Sequence, residues 1–485
     1  MKQKSIQTNY ILNLSRVVFS IISGFVIMPY INRVIGLEGV GKIEYVNSII
    51  TYFVLFSGLG IPMYGVREIA KKRDDLEAKS KFMIEIIIIL FITTLISYLI
   101  LFCFILRIDN LKDLKTLIIF MSSMVFLSNI GVEWFYQGIE DQKFITIRFF
   151  VVKIISLFLI FYLVKSPNDY VKYGFIIVLS SVGGNIFNAL NLKNHINFKK
   201  INYSKLNIKS HLKPILTIFI ASVSVSIYIQ LDNLILGTLK GSNEVGYYAM
   251  ANKLIRFVIL IITTLGSVLL PRLSFLVNND FILYQSYLKK SLNCFLIIAF
   301  PFTILFVLLA KDFTNIVGGN EFLESIVTMQ ILSPIILLVS IAYFLGYIIL
   351  YPLGKENIYT IAVIISALFS VVANLYFTPK HGHVSVAVIA VISELLGVLV
   401  MIIMCLKTLK KIQLIDYKLL YYSLSSLIMS FVILFISNFE LNSINNLIIS
   451  TSSGLIVYIL TLVLLKEEIV SSKINDIKSY LKNRN

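Results

Sequence analysis

Long apolar runs recur along this chain, and they constrain its fold more than any other feature. A helix that crosses the hydrocarbon core of a bilayer needs about 20 apolar residues. Hydrophobic residues make up 58% of the chain and charged residues only 14%, against about 25% charged in soluble domains. The sequence therefore predicts an all-α integral membrane protein with about 14 transmembrane helices. It excludes a soluble enzyme, a disordered chain and a DNA-binding module. The predicted spans are approximately 10–31, 43–66, 82–106, 116–132, 144–164, 174–192, 214–236, 247–270, 291–309, 326–350, 359–376, 384–406, 419–437 and 447–465.

Lysine and arginine are distributed unevenly between the two sides of this arrangement. The termini and the connections on their side hold 28 of these residues, whereas the connections on the opposite side hold 10. Because cytoplasmic loops carry the excess of Lys and Arg in membrane proteins, the bias predicts cytoplasmic termini. It also explains the net charge of +17 without nucleic acid as a partner.

A shift of 205 residues places the region after the first span on the region after the seventh. The shift aligns Gly36 with Gly241, Gly41 with Gly246, and Asn47 with Asn252. We predict two parallel halves of six spans, an N-lobe at 1–192 and a C-lobe at 214–406, joined by a basic cytoplasmic linker at 193–213. Spans 13 and 14 with the tail, 407–485, lie outside the repeat. Transporters built from such repeats bind their substrate between the halves near the middle of the membrane.

Ionisable side chains within the spans indicate a function or a specific partner, because placing each of them at the bilayer centre costs at least ~2.5–3.5 kcal/mol of insertion free energy. The deep charges are mainly positive: Arg16, Lys153, Lys253 and Arg256 against Glu394. The guanidinium group donates paired hydrogen bonds to phosphate. A wet cavity lined by these cations predicts an amphiphilic substrate with a phosphate head group.

Uncharged polar residues share helical faces in the same region. Asn13 and Ser20 lie on the Arg16 face of span 1, and span 7 carries Tyr228 and Gln230. We expect them to line the cavity, although hydrogen bonds between helices explain such stripes equally well.

Four charged residues lie near span ends, where snorkelling or an interfacial ion pair is the ordinary expectation: Glu44, Glu85, Arg148 and Asp232. Asp232 and Glu394 are the candidates for ion coupling, and Glu394 is equally well interpreted as a structural partner of a deep cation.

Three stretches resemble Wzx-type polysaccharide flippases of the multidrug/oligosaccharidyl-lipid/polysaccharide (MOP) exporter superfamily. They are the opening at 13–48, the link at 133–148 and the segment at 228–254. The resemblance implies two six-helix bundles in the V shape of MATE transporters, followed by two C-terminal helices. It also implies transfer of an undecaprenyl-diphosphate-linked oligosaccharide from the inner to the outer leaflet of the bacterial plasma membrane, for surface polysaccharide synthesis. The four deep cations are the candidates, by position, for the cationic cavity of this family.

Three alternatives stay open. The first is a lipid II flippase, which also carries a prenyl diphosphate. The second is a multidrug exporter coupled to protons or sodium, which the basic deep charges disfavour. The third is a membrane-embedded glycan polymerase or ligase, which the short outer connections disfavour. The chain has no GxxxxGK[ST] loop, so ATP is not expected to be its direct energy source. Protons, sodium ions and the membrane potential are the candidates. We expect no catalytic residues, no cofactor and no metal, and other polysaccharide assembly proteins are candidate partners.

Overall fold

The computed structural model describes residues 6–197, 206–412, 418–439 and 441–472, without the side chains at 6–10, 221–229, 268, 271 and 411. This described part contains helices and no strand. Its contacts divide the chain into two compact units, unit 1 at Met1–Gly246 and unit 2 at Tyr247–Asn485.

Unit 1 contains nine α-helices and the start of a tenth within the described residues. They are α1 (Ile6–Gly58), α2 (Ile61–Lys72), α3 (Leu76–Cys103), α4 (Lys115–Ile130), α5 (Glu133–Gly138), α6 (Gln142–Leu163), α7 (Tyr170–Val178), α8 (Asn185–Leu192), α9 (Lys209–Lys240) and α10 (Ser242–Asn279). A short π-helical stretch at Leu179–Gly183 follows α7 and precedes α8.

Unit 2 holds most of α10 and the remaining described helices. They are α11 (Phe281–Leu308), α12 (Ala310–Val317), α13 (Ser325–Leu332), α14 (Ile335–Tyr343), α15 (Glu356–Ile412), α16 (Lys418–Ser437) and α17 (Ser443–Leu464). The last two helices pack on α11 through a buried apolar cluster that includes Leu296, Tyr422, Met429 and Tyr458.

The helices account for the predicted number of spans. Eleven stretches of the described residues are long and apolar enough to cross a membrane. Two of these stretches hold two spans each, because α1 is kinked at Gly36 and α15 at Gly382. Helix α9, with 32 residues, lies outside the eleven. Dividing α1 and α15 at their kinks and adding α9 gives the fourteen segments of the sequence prediction.

The connections predicted at 32–42 and 377–383 are therefore single-residue kinks rather than loops. Gly36 has φ 76° and ψ 178°, and Gly382 has φ 57° and ψ −140°. A positive φ is available to glycine without the Cβ clash that other residues suffer. One glycine is enough to redirect the chain at each of these positions, so the helices continue almost to the turn.

Two glycines that the sequence shift aligns have the same backbone conformation. Gly36 and its repeat-mate Gly241 adopt nearly the same angles, with φ 90° and ψ −177° at Gly241. Both glycines stand directly before the second helix of their copy. The residues that the sequence shift aligned thus perform the same local task, which is to end one helix and start the next.

The two copies also meet at equivalent positions. A Cβ atom on Gly41 would lie 1.7 Å from the carbonyl oxygen of Ser242, and one on Gly246 would lie 2.6 Å from that of Leu37. Ser242 is the repeat-mate of Leu37, and Gly246 is that of Gly41. The repeat therefore exchanges the two contacts within unit 1.

Helix α9 belongs to unit 1 because it packs along α1. The ring of Tyr45 fills the space beside Gly237, where a Cβ would lie 2.2 Å from Cδ2 of that ring, and the Tyr45 hydroxyl lies 3.1 Å from Oγ1 of Thr238. The predicted lobe boundaries around the linker at 193–213 stay a prediction.

A buried polar cluster joins the start of α9 to α2 and α3. His211 Nε2 lies 2.9 Å from Oε2 of Glu85, and His211 Nδ1 lies 2.7 Å from the hydroxyl of Tyr64. The other oxygen of the buried Glu85 accepts a hydrogen bond of 2.7 Å from the backbone N–H of Asn207. This carboxylate thus binds one group just before α9 and one in the first turn of α9.

Replacing Glu85 by alanine should lower the free energy of unfolding by about 2–4 kcal/mol, because the buried His211 loses a hydrogen-bond partner and the Asn207 N–H loses its acceptor. The measurement is thermal unfolding of the detergent-solubilised protein. Glu77→Ala in the first turn of the same helix is the control, since Glu77 is exposed. Equal unfolding temperatures for the two variants would contradict the role assigned to Glu85.

Candidate functional site

Two arginines of unit 1 converge on one glutamate inside the helical bundle. Arg16 comes from α1, Glu133 from the first turn of α5, Arg148 from α6 and Asn185 from the start of α8. We call these four residues the arginine cluster. Residues more than 100 positions apart in sequence meet here because the first, fifth, sixth and eighth helices of the unit surround one point.

The contacts in the arginine cluster are shared rather than paired one to one. Arg148 forms an ion pair with Oε2 of Glu133, and its Nη1 donates a hydrogen bond of 3.0 Å to Oδ1 of Asn185. Arg16 Nη1 lies 3.8 Å from Oε1 of the same Glu133. One carboxylate therefore stands between two guanidinium groups, and the cluster keeps one formal positive charge in excess.

Amide side chains hold the arginines in place. Arg16 Nη2 donates to Oδ1 of Asn13 at 2.9 Å and to Oε1 of Gln142 at 3.2 Å. Asn185 is in turn fixed by a 3.0 Å hydrogen bond from its Nδ2 to the carbonyl oxygen of Leu127. Neutral partners position a guanidinium group without cancelling its charge.

The cluster is half open. The side chain of Arg148 is 9% exposed and that of Arg16 is 15% exposed, but Glu133 is 37% exposed. The Nε atoms of both arginines are buried and have no hydrogen-bond partner in the described part of the chain. A guanidinium group has five N–H donors, so the hydrogen bonds and ion pairs described here leave part of the donor capacity of both arginines unused.

The backbone is strained at the residue that precedes Glu133. Val132, directly before α5, has φ 36° and ψ 45°, in the left-handed region that β-branched residues rarely occupy. Strain of this kind costs of order 1–3 kcal/mol and concentrates at functional sites.

The guanidinium group of Arg148 packs closely on the backbone of Gly184. A Cβ on Gly184 would lie 2.7 Å from Nη1 of Arg148.

The other predicted residues of unit 1 lie outside the arginine cluster. Lys153 donates a hydrogen bond of 2.8 Å to Ser180 in the π-helical stretch. The backbone carbonyl of Ser20 accepts a hydrogen bond from Ser23. On α9, Gln230 is half-buried, and the buried Asp232 lies within electrostatic reach of Tyr52 on α1. The side chain of Tyr228 lies outside the described residues.

The predicted residues of unit 2 occupy two helices. On α10 the half-buried Arg256 donates from Nε to Oδ1 of Asn252 at 3.3 Å, and Lys253 is also half-buried. On α15 the half-buried Glu394 lies within electrostatic reach of Tyr359. The functional roles of all these residues stay predictions. No group of three or more potential metal ligands occurs among the described residues.

Sequence reasoning missed three members of the arginine cluster. It placed Arg148 at a span end and expected snorkelling or an ion pair there, and it gave Glu133 and Asn185 no role. The ion pair is present, but with a buried arginine that helps to build a site. The usable signal was the link at 133–148, which places Glu133 and Arg148 at the two sides of one short connection.

Comparison with known proteins gives a family and a fold. A model of the family described as "Polysaccharide biosynthesis protein" matches residues 6–277. A "Putative O-antigen transporter" of Escherichia coli (strain K12) is 21% identical over 369 residues, which are 76% of this chain and 89% of that protein. A protein of the same name from Shigella dysenteriae is 25% identical over 346 residues, which are 71% of this chain and 86% of that protein.

Solved structures share the fold at low sequence identity. The lipid II flippase MurJ in an inward closed conformation superimposes with a TM-score of 0.76 at 18% identity, covering 95% of this chain and all (100%) of that one. An inward-facing multidrug resistance MATE family transporter of the MOP superfamily superimposes with a TM-score of 0.59 at 15% identity, covering 85% and 97%. These likenesses confirm the predicted all-α membrane fold.

Proposed function

This chain belongs to the polysaccharide biosynthesis protein family, and we propose that it is a flippase that moves an undecaprenyl-diphosphate-linked oligosaccharide from the cytoplasmic to the outer leaflet of the bacterial plasma membrane. The proposal makes it a transporter rather than an enzyme, working in surface polysaccharide synthesis with both termini in the cytoplasm. The names of the O-antigen transporters in Escherichia coli and Shigella dysenteriae support this substrate class.

The observation that carries the proposal is the excess positive charge of the arginine cluster. A pyrophosphate head cannot enter hydrocarbon without partners that replace its water. Arg16 and Arg148 offer two planar donor groups, and such groups form paired hydrogen bonds with phosphate oxygens. Glu133 now stands between them, so it occupies the place that phosphate oxygens would take.

In the proposed cycle the incoming pyrophosphate displaces Glu133 from the two arginines. The exposed carboxylate moves towards water, while the arginines keep Asn13, Gln142 and Asn185 as neutral supports. The prenyl chain stays in lipid and the sugars stay in water. A conformational change then opens the bound head to the other leaflet. Lys153, Lys253 and Arg256 are the proposed further cations of the route, and Gln230, Ser20 and Tyr228 its proposed polar lining.

The test of the proposed function combines a gene deletion with reconstitution. We expect the deletion strain to lose surface polysaccharide and to accumulate the lipid-linked precursor on the inner leaflet, while the cells keep growing. Purified protein in liposomes should move the labelled precursor across the bilayer. Lysis of the deletion strain, with lipid II accumulating instead, would favour the alternative of a lipid II flippase. Unchanged surface polysaccharide would contradict both.

Replacing Glu133 by glutamine should strengthen binding of inorganic pyrophosphate to the purified protein. The substitution keeps the shape of the side chain and removes the negative charge that competes with the ligand. We expect a gain of at least about 1 kcal/mol, or about fivefold in Kd, in isothermal titration calorimetry. Glu140→Gln is the matched control, because Glu140 lies on the same connection and pairs with Arg73. Unchanged or weaker binding for Glu133→Gln would argue against displacement.

A further inference from the structure

Unit 2 contains a second basic site that the proposed transport step does not use. A cavity of about 970 Å³ lies where α11 and α16 begin and where the chain leaves α17. Three lysines line it, namely Lys289, Lys290 and Lys418, together with a single carboxylate, Glu468. The charge balance of the lining is therefore positive, and this end of the unit is the one that the charge bias places in the cytoplasm.

The wall formed by the segment after α17 is held by specific contacts. Glu467 is 0% exposed and accepts hydrogen bonds from the Tyr422 hydroxyl at 3.0 Å and from the Val470 N–H at 2.9 Å. Its neighbour Glu468 accepts from Nζ of Lys418 at 2.7 Å. This hydrogen bond and the charge of Lys418 lower the pKa of Glu468. The cavity thus has a fixed wall rather than a loose tail.

The two remaining lysines are available to a ligand. Lys418 is largely used by Glu468, which leaves Lys289 and Lys290 on one turn of α11. Neither lysine forms a hydrogen bond or a close ion pair with a described residue. The interaction of Lys290 with Glu468 is electrostatic and acts over a longer distance. Gln285 and Ser286 add polar groups to the same wall.

The cavity is also partly apolar, which identifies the ligand as an amphiphile. Leu269, Ile282 and Ile469 line it beside the lysines, and Ile282 is 81% exposed. An exposed isoleucine beside the lysines offers an apolar surface against which an acyl chain can pack. Basic residues beside such a surface attract anionic lipid head groups.

We propose that this cavity binds the phosphate group of an anionic phospholipid of the cytoplasmic leaflet through Lys289 and Lys290, with the acyl chains against Leu269 and Ile282. The shared chemistry is that of a phosphate anion, and the lipid supplies the apolar part that the lining requires. Binding fastens the last two helices to the leaflet. The inference is independent of the arginine cluster, which lies in unit 1.

The test uses the full-length protein in a neutral detergent, with thermal unfolding as the first measurement. Phosphatidylglycerol in mixed micelles should raise the unfolding midpoint by about 2–5 °C, whereas phosphatidylcholine and inorganic phosphate should have little effect. The double variant Lys289→Gln/Lys290→Gln should weaken the apparent affinity for phosphatidylglycerol about tenfold or more. The control is Lys407→Gln/Lys410→Gln, which removes two exposed lysines outside the cavity.

A second, local measurement uses Cys294, which lines the cavity. In a background with Cys103→Ser and Cys405→Ala, phosphatidylglycerol should slow alkylation of Cys294 severalfold, and the lysine double variant should remove this protection. Equal protection by phosphatidylcholine, or the same protection in the double variant, would overturn the proposal. Equal protection by inorganic phosphate alone would overturn the assignment to a lipid. None of these outcomes depends on glycan transport.

Discussion

Replacing Arg148 by alanine should abolish surface polysaccharide export while the protein stays in the membrane. Arg148 is the most buried cation of the arginine cluster, and the substitution removes its donors to the pyrophosphate. Hydrogen bonds to charged groups contribute about 1.5–3 kcal/mol each, so two of them correspond to a loss of at least about 100-fold. The measurement is precursor transport by reconstituted protein, together with surface polysaccharide in a complemented deletion strain.

A structural role of Arg148 is separated from a binding role by three comparisons. Arg148→Lys keeps the charge and should restore part of the binding of inorganic pyrophosphate. The control Arg107→Ala, at an exposed position outside the cluster, should behave as the parent protein. Arg148→Ala with normal transport would refute the proposed site, and equal losses in unfolding temperature and in transport for Arg148→Lys and Arg148→Ala would reduce Arg148 to a structural residue.

Replacing Gly41 by alanine should prevent the chain from folding, although the change adds one methyl group. The new Cβ would lie 1.7 Å from the carbonyl oxygen of Ser242, and backbone cannot move aside as a flexible side chain does. Overpacking typically costs about 1–3 kcal/mol, and a clash with backbone at this distance should exceed that range. The readout is the monodisperse fraction after detergent extraction, measured by fluorescence-detected size-exclusion chromatography.

The same helix supplies the control for this prediction. Gly58→Ala adds the identical methyl group where only Oδ1 of Asn129 comes near, at 3.9 Å. We expect this variant to be as stable as the parent or slightly more stable, because alanine is the better helix former. A folded Gly41→Ala protein with an unchanged unfolding temperature would show that the repeat contact is looser than its geometry indicates.

Much of the fold follows from local sequence properties. Hydrophobic run length gives the number of spans, since a bilayer of fixed thickness needs a fixed length of helix. The alignment of Gly36 with Gly241 located two equivalent turns, because a backbone with positive φ selects glycine. Loop lengths were less predictable. The chain turns at the single residues Gly36 and Gly382, and composition does not show how many residues separate two consecutive helices.

The site was only partly predictable, since depth in the membrane is not the same as proximity to other charges. Arg16 was selected for its position within a span, and it lies in the arginine cluster. Lys153 was selected on the same ground, and it donates a hydrogen bond to the neutral Ser180. Arg148 was expected only to snorkel or to form an interfacial ion pair, and Glu133 was given no role, because charged residues are ordinary near the ends of spans.

The sequence by itself determined a chain of fourteen membrane segments with an internal repeat and an excess of deep positive charge. These properties depend on residue type and on spacing along the chain. Only the tertiary structure decided that Arg16 and Arg148 share Glu133, since a contact between α1, α5 and α6 depends on how helices pack. It also decided that Lys289 and Lys290 face a cavity closed by the segment after α17. The energy of an electrostatic interaction depends on the distance between two charges in space. The separation of two residues along the sequence does not give that distance.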